Sequence, residues 1–359
     1  MAPLRENDAG AAGFDATKLD DACAWAARHD SGVPTSLAEH LANSAFQDGA
    51  WGETLGPTLD RGPCSGLVLK EGAIVASWGD PDRVDMTFSV TKSMLSAVAG
   101  VAFDRGLLDD LDAPVGAKVT TGHFDGPHNG AITWRHLLQQ TSEWEGTLWD
   151  KPDLVDRNRD VFGKDNSKKA THRDLEAPGT HWEYNDVRVN VLAFALLHLF
   201  RRPLPEVARE AILDPIGASQ ELSWNGYRNS TVTIDGKAML SVSGGGHWGG
   251  GMFVSADDLA RFGLLFQNRG RWGDKQVLSE RWVDLCTTPC AIEPRYGFLW
   301  WLNTGGGMYP AAPESSFFAL GAGGHLVWID REHGIVAVTR WLSEAAHDGF
   351  IKRVLGALK

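Results

Sequence analysis

A chain of 359 residues with 43% hydrophobic and 22% charged residues and 15 tryptophans can bury a large core, which excludes intrinsic disorder. A formal charge of −12, with no basic block beyond the short stretch KKATHR, argues against nucleic acid as a partner. The N-terminal MAPLRENDAGAAGFD lacks an apolar signal core and no run of 18 apolar residues follows, so no membrane partner is expected and a cytoplasmic location is the expectation.

In chain order, SGLVLKEGAIVASWGD reads as two strands around a turn at Glu71-Gly72. Helical periodicity then predicts helices over residues 89–104, 133–140, 185–200, 205–213 and 255–267. Thr133 and Ser255 are their expected N-caps, and Ser255 with Asp258 approximates a capping box. FFALGAGGHLVWIDREHGIVAVTRW predicts a second strand pair turning at 330–334, and residues 344–358 a final amphipathic helix. The expected class is α+β: an antiparallel sheet built from both termini and flanked by helices, with a large, mostly helical insert. Residues 1–88 and 281–359 would form the sheet domain and 89–280 the helical one, with an active site in the cleft between them.

Common engines are missing. The chain has no G-x-S-x-G, no H-E-x-x-H and no Walker loop. Gly244, Gly246 and Gly249 satisfy G-x-G-x-x-G, but GMFVS follows them in a chain without βαβ alternation, so no dinucleotide is expected there. Cys23, Cys64, Cys286 and Cys290 contain no C-x-x-C and suit a reducing compartment. Cys286 and Cys290 could share a helix face but lack further ligands at zinc-like spacing. Neither a metal nor an organic cofactor is implied.

The segment TFSVTKSMLSAVAG holds Ser89 and Lys92. Chance alone supplies such a Ser-x-x-Lys pair in a chain of this length, so its setting matters. A helix starting near Ser89 puts the hydroxyl at the positive end, with Lys92 one turn below on the same face. Serine is a weak nucleophile and needs a base within hydrogen-bond reach; a lysine serves when burial lowers its pKa. Met94, Leu95, Val98 and Val101 offer that apolar setting. The bland alternative is a surface lysine on a core helix. Farther on, PGTHWEYNDVRVNVLAF turns at Pro-Gly and presents Tyr184 just before a helix.

Ser-x-x-Lys followed by this tyrosine segment resembles the serine β-lactamase and penicillin-binding-protein superfamily, in its class C-like branch with the family VIII esterases and 6-aminohexanoate-dimer hydrolases. ITWRHLLQQTSEWEG, EAILDPIGAS, GGGMFVSADDLARFG and YGFLWWLN are similar to further family segments, over roughly residues 60–345. The resemblance implies Ser89 as nucleophile, Lys92 and Tyr184 as general base, and an oxyanion hole from the amides of Ser89 and Ala322, which follows Gly321.

Two positions depart from the family pattern. Asp186 stands where the Tyr-x-Asn asparagine would, and a carboxylate cannot donate as an amide does; it could pair with Lys92 and hold it charged, throwing more of the base role onto Tyr184. The third motif maps onto Ala319-Leu320-Gly321 and lacks its cation, which argues against anionic substrates and β-lactams. Trp182, Trp248, Trp300 and Trp301 are candidates to line a pocket, with core packing as the alternative for each, and His247 in the glycine run is a candidate for binding. The resemblance thus implies a serine hydrolase cleaving a neutral small-molecule ester or amide through an acyl-enzyme. The alternatives are a D-amino-acid peptidase or an acyltransferase on the same fold, or a catalytically silent binding protein.

Overall fold

The computed structural model describes residues 4–43, 46–163, 165–246 and 248–359; His247 therefore lies outside the described residues. The first predicted strand pair is present as β1 (Ser65–Lys70) and β2 (Ala73–Trp78). Its two-residue turn has positive φ at both Glu71 (48°) and Gly72 (77°). That is the twist a tight hairpin needs. The second pair forms as β9 (His325–Asp330) and β10 (Ile335–Arg340), preceded by β7 (Trp301–Leu302) and β8 (Phe317–Gly321). These six strands make one antiparallel sheet in the order β7-β8-β9-β10-β1-β2, joining the two ends of the sequence through the β10–β1 ladder.

Every residue of β9 and β10 is buried, as in a sheet covered on both faces. Helix α1 (Ala16–Ala27) packs on β2 and on the last helix, α9 (His347–Gly356). A short helix, α2 (Leu37–Ala42), precedes the sheet.

In the middle of the chain lie α3 (Val90–Asp104), α4 (Trp134–Leu138), α5 (Asp186–Phe200), α6 (Leu204–Ala208), α7 (Ala256–Gln267) and α8 (Glu280–Cys286). Thr133 forms a reciprocal capping box with His136. At α7 only half of the expected box exists. The Ser255 side chain accepts from the Asp258 amide, but the Asp258 carboxylate turns to the amide and hydroxyl of Ser219. α7 lies on the helical side of the sequence boundary at 280, yet packs on β1, β9 and β10. Gly263 lets it do so, since a Cβ there would sit 2.7 Å from Val336 Cγ1.

The expected helix over 205–213 keeps its α form only to Ala208 and continues as a π turn, Arg209–Leu213. Cys290 lies beyond the end of α8, and all four cysteines are buried and free.

In and just before the insert lie strands that the sequence pattern did not announce. β3 (Asp85–Met86), β4 (Ser223–Ile234), β5 (Lys237–Val242) and β6 (Gly251–Val254) form a second antiparallel sheet, ordered β3-β6-β4-β5. In SWNGYRNSTVTI the alternation is broken by Gly226 and by an irregular register between Gly226 and Thr231, which hides the strand from a period-2 reading.

Candidate active site

β3 delivers the chain to the start of α3. The Thr87 amide and hydroxyl both donate to the Met252 carbonyl on β6, and the Met252 amide donates to Thr91 Oγ1. Phe88 then takes a positive φ of 48°, a conformation that costs a bulky residue energy and that this clamp enforces. The turn sets Ser89 at the N-cap of α3 with its hydroxyl not used for capping. The first turn's hydrogen bond, from the Val90 amide to the Thr87 carbonyl, begins one residue after the Ser89 amide.

Thirteen of the fifteen residues of α3 are buried, Lys92 among them. Its Nζ lies 2.7 Å from Ser89 Oγ and 2.5 Å from Asp186 Oδ1. Burial drives the Lys92 pKa below its usual value, and the pairing with Asp186 only partly restores it.

Tyr184 comes in from the start of α5. Asn185 caps that helix, accepting from the amides of Val187 and Arg188, so the residue next to the tyrosine is structural. Tyr184 lines the same cavity as Ser89, and burial and the nearby Asp186 push its pKa well up, which keeps it a neutral phenol. Lys92 Nζ stands 4.8 Å from the centre of the Tyr184 ring. Above the pair runs Gly245, where a Cβ would come within 2.6 Å of Lys92 Nζ and 3.2 Å of Asp186 Oδ1. The glycine run that looks like a nucleotide loop is thus the close-fitting cover of a lysine–aspartate pair.

On the opposite side β8 ends at Gly321, where a Cβ would stand 2.2 Å from the Thr87 carbonyl oxygen. Only glycine allows this approach, and it brings Ala322 to the same cavity as Ser89. That cavity, of about 380 Å³, is lined by Ser89, Tyr184, Asp186, Gly321 and Ala322 together.

Residues 67–348 match the model of the family described as Beta-lactamase. The chain belongs to the beta-lactamase family.

Relatives and solved structures agree with this. The family member is 27% identical to the "Putative D-alanyl-D-alanine carboxypeptidase" of Escherichia coli K12, over 86% of this chain and 77% of that one. Its fold resembles a crystal structure of a family VIII carboxylesterase (TM-score 0.60, 17% identity, 96% of this chain and 98% of that one). It also resembles the "Putative 6-aminohexanoate-dimer hydrolase from Bacillus anthracis" (TM-score 0.55, 19% identity, 90% and 80%). The protein is accordingly a hydrolase-family chain of the beta-lactamase fold.

The aromatic candidates separate in this beta-lactamase family member. Trp301 lines the cavity and stacks on Tyr184, with ring centres 5.3 Å apart. Trp182 packs behind that wall, against Tyr184, Trp301 and Phe162. Trp300 is core, against Phe262, Phe266 and Phe317. Trp248 is buried beside Tyr227 and Lys151, away from the cavity lining. Ala319, in the place of the missing cation, is buried within β8.

Arg159, Phe162 and His325 are among the lining residues that escaped the sequence reading. Arg159 reaches Asp186 Oδ2 at 3.0 Å from a loop with no periodic signal. Phe162 forms part of the wall from the same loop. His325, fully buried on β9, accepts from Arg340 Nε at Nδ1, which fixes the hydrogen on Nε2. Burial and the Arg340 charge keep that ring neutral. Among the described residues no cluster of metal-ligating side chains occurs, and no helix is long and apolar enough to cross a membrane.

Proposed function

We propose that this chain is a serine hydrolase that cleaves a neutral ester or amide through an acyl-enzyme on Ser89. The observation that carries the reading is Lys92 Nζ at 2.7 Å from Ser89 Oγ, with Tyr184 lining the same cavity, which is sized for a small molecule. Ser89 Oγ attacks the carbonyl carbon and its proton passes to neutral Lys92. The amides of Ser89 and Ala322 hold the oxyanion, for which each such donor is worth about 100 to 1000-fold in rate. Tyr184, a neutral phenol, gives its proton to the departing alcohol or amine and recovers one from Lys92. Water then attacks the acyl-enzyme by the same route in reverse and frees the serine.

The opposite directions of the two pKa shifts support this division of labour. Burial populates the neutral amine of Lys92, which can then accept a proton, and keeps Tyr184 protonated, so that it has one to give; the reading therefore puts the base role on Lys92, where the Asp186 position had suggested Tyr184. Neutral substrates are favoured because the cations lining the cavity, Arg159 and Lys169, already face acid partners, and the β8 cation is absent.

The test is labelling of the folded protein with a fluorophosphonate, together with turnover of a p-nitrophenyl ester. Ser89→Ala should lose labelling entirely and turnover by about 1000-fold or more, and Lys92→Ala and Tyr184→Phe should each lose about 100-fold or more. Wild-type protein that resists the probe would leave a silent binding protein as the reading. The likeness to a D-alanyl-D-alanine carboxypeptidase relative adds peptides ending in D-amino acids to the substrate panel. Added alcohol or amine acceptors separate hydrolysis from acyl transfer.

A further inference from the structure

A lysine base in salt-bridge contact with a carboxylate poses a physical difficulty: the partner that positions it also favours its charged form. Arg159 sits where it can remove that difficulty. Its Nη1 is 3.0 Å from Asp186 Oδ2, the oxygen turned away from Lys92, and 3.5 Å from Asp156 Oδ1. Its guanidinium lies 5.3 Å from the centre of the Tyr184 ring. Asp156 in turn accepts from the Asp186 amide through Oδ2, and Lys169 joins it to Asp48. Among the described residues, the charges meeting here are Lys92, Arg159 and Lys169 against Asp186, Asp156 and Asp48, from α3, α5, the loop after residue 156 and the N-terminal segment.

We propose that Arg159 is a positioning residue for the base, whose permanent charge on the outer oxygen of Asp186 keeps that carboxylate from locking Lys92 in its protonated form. The inference rests on the reading of Lys92 as base and adds to it a device that the sequence pattern does not contain. Arg159 contributes one positive charge to the cluster whether Lys92 is charged or neutral. Without Arg159, neutralising Lys92 would leave one more uncompensated negative charge beside it in a buried space, and the proton would stay on the lysine. Arg159 cannot lose its own proton, because its acid partners raise its pKa further. The guanidinium therefore compensates Asp186 equally before and after proton transfer.

The experiment measures Lys92 directly. Lysine labelled with ¹³C at Cε is titrated by NMR, its Lys92 signal assigned by Lys92→Met, in wild type and in Arg159→Gln, with Arg159→Met as the second uncharged variant should the first fail to fold. The Lys92 midpoint should rise by about one pH unit or more. The acid limb of kcat/KM should rise with it, so that the rate at a pH below both midpoints falls about tenfold per unit while KM moves little. Arg159→Lys, which keeps a cation on Asp186, should recover most of the shift. An unmoved Lys92 midpoint in the uncharged variants overturns the proposal, as does an equal loss of rate at every pH, which is what a mere wall residue would give. Failure of the hydrolase reading looks different: Ser89 would resist the fluorophosphonate in wild type while the Lys92 midpoint still responded to Arg159.

Discussion

Two glycines of the site do different work at the scale of single residues. At Gly321 a methyl group would meet the backbone oxygen of Thr87 at 2.2 Å, which nothing nearby can relieve. At Gly245 it would meet the Nζ atom of Lys92 at 2.6 Å, the far end of a flexible chain that can swing aside. Gly245→Ala should therefore fold almost as stably as the parent, with a melting temperature within a few degrees, while kcat falls about 100-fold because the base is displaced by about an ångström. Paired thermal melts and ester kinetics check this. A loss of stability as large as the loss of rate would mean that the backbone, not the lysine, gives way. Gly321→Ala should show that second pattern.

Among the elements, α7 offers a clean measurement, since its N-cap bond from Ser255 to the Asp258 amide stands apart from the cavity. Ser255→Ala should cost about 1 kcal/mol in urea unfolding and leave ester turnover unchanged. This helix was legible beforehand because cap, acidic first turn and apolar periodicity agree over Ala256–Gln267. α3 was legible from its Ser-x-x-Lys motif and apolar run without a cap, and the two hairpins from the positive-φ glycines of their turns, Gly72 and Gly334. β4 was not legible, because its twelve residues interrupt their alternation at Gly226 and Asn229 where the register slips. The candidate site divides along the same line. Ser89, Lys92 and Tyr184 stand at helix starts with local motifs, and the Lys92–Asp186 pairing could be anticipated from one aberrant position in a motif. Arg159 and Phe162 come from a loop held by long-range ion pairs, so no local pattern announces them.

For the whole molecule, that loop is tied to the body through Glu143, which is fully buried between Arg173 and Arg188. Arg173 also reaches Glu183, whose Oε1 accepts from the Asn158 amide, next to Arg159. Burial alone would raise the Glu143 pKa, but hydrogen bonds from Arg173, the charge of Arg188 and the Glu176 amide pull it down to about 2, below its ordinary 4.5. A folded-state pKa below the unfolded one stabilises the fold above the unfolded value, and that stability is lost as pH falls toward the folded value. The protein should thus lose urea resistance steadily from about pH 4.5 downward. Glu143→Gln should remove part of that dependence: less stable at pH 7, where buried Arg188 and half-buried Arg173 lose their shared anion, yet with a flatter decline between pH 5 and pH 3. Because the tether leads to Arg159, the same variant should also raise the acid limb of ester turnover. Urea midpoints at pH 7, 5 and 3.5, set beside the pH–rate profile, test both effects at once. A decline as steep as wild type would show that other carboxylates carry the acid sensitivity, and an unmoved rate profile would show that Arg159 keeps its place without this anchor.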